Sequence, residues 1–185
     1  IEIMKKILYI ALIIMTIFTN KSFADSLLKD NFQNSTQWKF ISDNVMGGVS
    51  TGSINYEVKE DNSSAYLSGN VSTKNNGGFI QIRRSLKDVD LSRAKYIKII
   101  AKGNNQKYFL HLRTSGTILP WQYYQISFEV KEEYKEHILQ IKEFKKSGSF
   151  QPNKVNSKSI SSVAVVAYGR DHKAEIHIKE ISFHE

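Results

Sequence analysis

The chain has 185 residues, no Cys, and 26 Lys and Arg against 18 Asp and Glu, a formal charge of +8. The missing cysteines exclude a disulfide framework and thiolate chemistry, and a content of 41% hydrophobic and 24% charged residues marks a globular chain with one sizeable core. The basic excess favours anionic surfaces or acidic partners, but the Lys pairs are scattered and read as solvated surface, not as a nucleic-acid arm.

The N-terminus has the layout of an export signal. Lys5 and Lys6 precede an apolar run from Ile7 to Phe18, and Ser22-Phe23-Ala24 supplies a small-x-small cleavage site. Cleavage is expected after Ala24, leaving residues 25–185 as one domain of net charge about +6. The run is shorter than the roughly 20 residues a spanning helix needs. An uncleaved anchor is the alternative. The expected location is outside the cytoplasm, periplasmic or secreted, with no membrane-spanning segment in the mature chain.

The remainder reads as strands. They are Trp38–Ser42, Ser53–Val58, Ala65–Val71, Phe79–Arg84, Tyr96–Ala101, Lys107–Thr114, Tyr123–Val130, His137–Ile141, Val163–Tyr168 and Ala174–Phe183. All are rich in Ile, Val, Tyr and Phe and bounded by Gly, Asn, Asp and Ser. Single helical turns are expected at Asp90–Ala94 and Glu132–Lys135, and a long surface loop from Ser147 to Ser159. In the last strand Ile176 and Ile178 share one parity, Ile181 and Phe183 the other. A bulge near Lys179–Glu180 turns all four inward. Short strands at roughly ten-residue spacing predict an all-β fold, an antiparallel sandwich or jelly roll.

Alternation assigns an outward face on three runs. With Ile80 and Ile82 inward, Phe79, Gln81 and Arg83 point out. With Tyr108, Leu110 and Leu112 inward, Phe109, His111 and Arg113 point out. With Tyr124, Ile126 and Phe128 inward, Tyr123, Gln125 and Ser127 point out. On one sheet, these rings and forked donors would suit a sugar, a peptide or a partner protein. Such pairs also serve simply to stabilise a sheet.

No catalytic constellation is present. There is no Gly-x-Ser-x-Gly elbow, Walker loop or dinucleotide fingerprint. The five histidines lack metal-ligand spacing, and His177 alternates outward toward solvent. Asp43 could pair with Asp171 or Glu175, but nothing in the sequence joins them. The expectation is a non-enzyme without cofactor or metal, and without a nucleic-acid partner.

Two glycine-pair motifs stand out: Asp43-Asn44-Val45-Met46-Gly47-Gly48-Val49-Ser50 and Asn76-Gly77-Gly78-Phe79. As local chemistry the first is a turn. Asp43 and Ser50 can bond its backbone, and Gly47 and Gly48 allow positive φ or close packing. Together the motifs resemble the signature of the complex I intermediate-associated protein 30 family, supported by Arg83, by Tyr108–Arg113, by Tyr124-Gln125 and by Phe144 after Ile141. The resemblance spans roughly residues 32–183. It implies a galactose-binding-like β-sandwich, related to carbohydrate-binding modules, in a non-catalytic protein that assists assembly of a membrane respiratory complex. A protein partner is thereby expected, with a glycan on the same aromatic and Arg face as the alternative. Two departures are visible: an export-type N-terminus, and His137 where the family has Trp.

Overall fold

A computed structural model describes residues 26–59 and 62–185. The expected export signal lies outside the described residues. Twelve strands form: β1 (Leu28–Asp30), β2 (Trp38–Ser42), β3 (Thr51–Glu57), β4 (Ser64–Val71), β5 (Phe79–Ser85), β6 (Tyr96–Gly103), β7 (Lys107–Thr114), β8 (Tyr124–Glu129), β9 (Lys135–Gln140), β10 (Lys145–Lys146), β11 (Ile160–Tyr168) and β12 (His172–His184). Among the described residues there is no α-helix, only short 3-10 turns. No helix there is long and apolar enough to cross a membrane.

The strands make two antiparallel sheets. The first runs β3-β4-β12-β6-β9, with β1 also paired to β12; the second runs β10-β8-β7-β11-β5-β2. Strands adjacent in sequence are repeatedly separated in space, as in a jelly roll. The apolar parity of each strand faces its partner sheet. Ile80, Ile82, Leu110, Leu112 and Val165 from the second sheet are fully buried against Leu67, Ile97, Ile99 and Ile176 from the first. This β-sandwich is the all-β class that the strand spacing predicts.

The bulge in β12 is present. Ile178 pairs with Ala101 and Glu180 with Ile100, so Lys179 is the extra residue. Ile176, Ile178, Ile181 and Phe183 are all buried as a result. His177 points away from the core and stacks on Tyr66 at 4.2 Å. His137 lies with its ring centroid 5.2 Å from that of Phe128.

The two expected helical turns need correction. Asp90–Ala94 and Glu132–Lys135 are not helical. The first holds one turn, closed by Ala94 N–H to Leu91, and follows another closed by Val89 N–H to Leu86. Segments this short do not repay helix nucleation, and Leu91 and Ala94 are buried as irregular chain. The expected loop is present between β10 and β11, ending in a 3-10 turn, Ser157–Ser159, capped by Asn156, and β11 starts at Ile160, three residues before the expected Val163. Strands β1 and β10 were not anticipated; at three and two residues they are too short to show a period.

Polar ties join the sheets. Asp30, on β1 of the first sheet, is buried and accepts from Trp38 Nε1 at 2.7 Å, from Phe32 N–H at 2.8 Å and from Arg84 Nη1. Trp38 and Arg84 belong to the second sheet. At the opposite end, the buried Tyr108 hydroxyl donates to Asn104 at 2.9 Å and accepts from Glu175 N–H at 2.7 Å. Burial pushes that phenol up to about 12.

Replacing Asp30 by Ala leaves a nearly buried guanidinium and an indole N–H unpaired. We expect a loss of about 3 kcal/mol in urea unfolding. The double variant Asp30→Ala/Arg84→Met should lose less than the sum of the two single changes.

Candidate functional site

Asp43 is the best-hydrogen-bonded side chain in the region. It sits in the 3-10 turn Asp43–Met46 and is 0% exposed. Its Oδ1 accepts from Ser50 N–H at 2.9 Å. Its Oδ2 accepts from the Ser50 hydroxyl at 2.5 Å, Gly78 N–H at 2.6 Å and Phe79 N–H at 3.2 Å. Burial acts to raise its pKa, but the Ser50 hydroxyl and the three N–H donors outweigh it and hold the carboxyl below its ordinary value.

This explains both glycine pairs. A Cβ on Gly48 would lie 2.3 Å from Asp43 Cγ, and one on Gly77 would lie 2.5 Å from Asp43 Oδ2. Gly47 and Gly78 carry positive φ of 87° and 129°. One glycine of each pair turns the chain; the other clears room for the carboxylate. Asn44 closes the turn by donating to Ser42 Oγ at 3.0 Å and Ser50 O at 3.1 Å. Asn76 has φ of 57° and ends the second turn. Asp171 is not paired with Asp43, and instead accepts from Thr73 N–H at 2.6 Å and Thr73 Oγ1 at 2.7 Å.

The outward face of the second sheet is continuous. One row crosses all six strands as Lys39, Arg83, Ala164, His111, Gln125 and Lys145. The next runs Ile41, Gln81, Val166, Phe109 and Ser127. Arg113 lies opposite Ser162, and Phe79 opposite Tyr168. The central strand β11 therefore presents small Ser162, Ala164 and Val166 between larger neighbours, and a trough opens along it.

Part of this trough is a groove of about 780 Å³. His111, Tyr123 and Tyr168 line it. The first two rings stack at 4.0 Å with 8° between planes, and Tyr168 meets His111 edge-on at 5.7 Å. Val45, Met46, Asn76 and Gly77 form one rim, so the Asp43 knot shapes a wall of the groove. Pro120 and Trp121 form another, with Trp121 60% exposed.

The Trp121 loop is held from below by Arg113. Its guanidinium donates to the Thr117, Leu119 and Pro120 carbonyls at 2.9, 3.1 and 3.4 Å. His111 is neutral at physiological pH because burial pushes its pKa down to about 3, with Gln125 beside it acting weakly the other way. Neither His111 Nε2 nor Gln125 Oε1 reaches hydrogen-bonding geometry with a partner. Burial and the Tyr168 hydroxyl push the Tyr123 phenol well above its usual range.

Of the nine residues that alternation places outward, Phe79, Gln81, Arg83, His111, Arg113 and Tyr123 line the groove. Phe109, Gln125 and Ser127 do not. Phe109 packs edge-on against Tyr168 at 5.8 Å, and Gln125 is half-buried beside His111. The guanidinium of Arg113 bonds loop backbone and is less free than its parity suggests. Trp121, Tyr168 and the small residues of β11 were missed. Trp121 sits in a loop without period, and Ser162–Tyr168 is too uniformly apolar for alternation to reveal which side is out. Among the described residues no group of three or more His, Asp or Glu could hold a metal.

The fold is a jelly-roll β-sandwich whose second sheet carries an open groove on its outer face. A family 11 carbohydrate-binding module from Clostridium thermocellum, in complex with a β-1,3-1,4-mixed-linked tetrasaccharide, superposes with a TM-score of 0.66 at 15% identity, over 83% of this chain and 92% of that one. The family 11 module of the cellulosomal cellulase Lic26A-Cel5E from the same organism gives 0.69 at 15% identity, over 88% and 95%. An exo-β-agarase matches at 0.56 and 10% identity, over 87% of this chain and 26% of the enzyme. Residues 26–178 match the model of complex I intermediate-associated protein 30, and the chain belongs to that family. No curated protein has a matching sequence.

Gly48→Ala drives a methyl into a fixed carboxylate, and Asp43→Asn replaces an acceptor-only group with one that also donates toward N–H groups. Each should cost about 2–3 kcal/mol in urea unfolding. Because the Asp43 pKa is lowered on folding, its contribution is present above the unfolded value of about 4 and is lost as pH falls through the folded value. Asp43→Asn should remove that acid step. His111 has the same sign in a higher window. The unfolded chain binds its proton near pH 6.5 and the folded chain near 3, so stability falls as pH drops between the two. His111→Phe should flatten the slope of unfolding free energy measured from pH 7 to 5.

Proposed function

We propose that this protein is a non-catalytic, exported carbohydrate-binding module whose ligand lies in the groove on the outer face of the second sheet. The observation that carries this reading is the combination of an open trough with aromatic rings along it and the polar side chains of Gln81 and Arg83 beside them. Sugar rings present flat apolar faces edged by hydroxyls. The faces suit Tyr168 and the exposed Trp121, and the hydroxyls suit Gln81 and Arg83. The trough follows β11, nine residues long, giving a track of about 26 Å that matches an extended oligomer better than a compact metabolite. A tetrasaccharide complex of a module with the same fold supports the reading.

A second reading has its own support. Val45, Met46, Ile118 and Trp121 are 73%, 54%, 85% and 60% exposed on two loop tips. Apolar tips of this kind also suit a protein partner, and family membership points to assembly of a membrane respiratory complex. In that reading the module would be retained on membranes and would co-purify with such a complex.

Affinity electrophoresis and calorimetry against a panel of soluble polysaccharides separate the two. We expect binding in which Trp121→Ala and Tyr168→Ala each weaken affinity about tenfold while leaving the unfolding midpoint within a few degrees. Full affinity in both variants would move the ligand elsewhere. Absence of any polysaccharide binding, with complex subunits co-purifying, would replace the carbohydrate reading by the protein one.

A further inference from the structure

At the Ser159–Ser162 end the trough opens into a second cavity of about 680 Å³. Five cationic side chains line it: Lys39, Arg83, Lys87, Arg113 and Lys158. Among the described residues no Asp or Glu lines either this cavity or the aromatic groove. The two share Arg83, Arg113 and Ser162, so one elongated ligand can occupy both.

We propose that this basic end is an anion subsite and that the glycan carried by the groove is acidic, bearing carboxylate or sulfate groups. The inference rests on the carbohydrate reading of the groove. Its first support is the pairing pattern. Some cations elsewhere are paired, Arg84 with Asp30, Lys98 and Lys29 with Glu180, Arg93 with Glu185 and Lys173 with Glu175, and others, such as Lys131 and Lys142, pair with no described residue; what sets this end of the trough apart is that five cations without such a partner gather around one cavity. None of the five lining cations forms an ion pair with a described residue.

The second support is geometric. The Arg83 guanidinium makes no hydrogen bond to a described residue, and the side chains beside it across the ladder, Ala164 and Lys39, offer no acceptor. Arg113 is held by neutral carbonyls, so its charge is fixed in place without being cancelled. Burial and the nearby Arg83 both lower its pKa, the mark of two like charges held close in a sheltered site. A bound anion removes that repulsion. The free fork of Arg83 matches the paired oxygens of a carboxylate or sulfate, and the Ser85 and Ser162 hydroxyls face the same space. Asp90 is close enough to feel Lys158 but does not line the cavity. The concavity favours single anionic groups along a chain over a flat lipid surface.

The test compares one backbone in three forms: dextran, carboxymethyl-dextran and dextran sulfate. A matched set made on the best binder from the neutral panel is run alongside. Titrations use wild type, Lys39→Gln/Arg83→Gln, and a charge-matched control, Lys135→Gln/Lys142→Gln, away from the trough. We expect the acidic forms to bind at least about tenfold more tightly than the neutral one. The trough variant should lose about tenfold and the control less than about twofold, with the loss shrinking as salt rises. Whether the carboxylated or the sulfated form prevails identifies the group. Equal affinity for neutral and acidic forms would overturn the anion subsite and leave the carbohydrate reading standing. Equal losses in both variants would reduce the effect to net charge and also overturn it. Binding of poly-L-glutamate but of no polysaccharide would overturn both readings.

Discussion

The buried carboxylate of Asp43 is the constraint on which the working half of the molecule depends. A lone buried charge is costly, and here four hydrogen bonds from Ser50, Gly78 and Phe79 offset that cost. Those donors come from two segments about thirty residues apart, so satisfying the charge fixes one loop against the other. Gly48 and Gly77 are glycine because the carboxylate already occupies the space of their side chains. The loops so joined carry Val45, Met46, Asn76 and Gly77, one rim of the groove. The same short stretch thus ties two loops together and lines the groove.

The other rim is built by a different device. Arg113 spends its guanidinium on three backbone carbonyls of the 117–120 loop and so presents Trp121. An arginine neutralised by a carboxylate would leave the trough electrically balanced. One held by carbonyls leaves it positive. The same choice that orders the aromatic rim therefore charges the neighbouring cavity, and Arg83 across β11 adds to it. Aromatic and cationic parts of the face are consequences of one arrangement.

Much of this was legible in the residues. Alternation in Phe79–Arg84 and Tyr108–Arg113 put Arg83 and Arg113 on one side of their strands, and the parity break in β12 required the bulge found at Lys179. The glycine motifs led to the family that residues 26–178 match. Less accessible was anything set by contacts distant in sequence. The trough exists because β11 lies between β5 and β7, an order no local pattern encodes. Trp121 gained its position from Arg113, eight residues earlier and on another element.

The sequence by itself determined the class of fold, the inward and outward parity of each clear strand, and the two tight turns. These depend on period-two patterning and on glycine, which act over a few residues. Tertiary structure alone decided that Asp43 is the link between the turns and that small residues of β11 open a trough. It also decided which cations remain unpaired. Each of those outcomes depends on which distant groups meet, and a charge or a ring acquires its role only from the partner it finds or lacks.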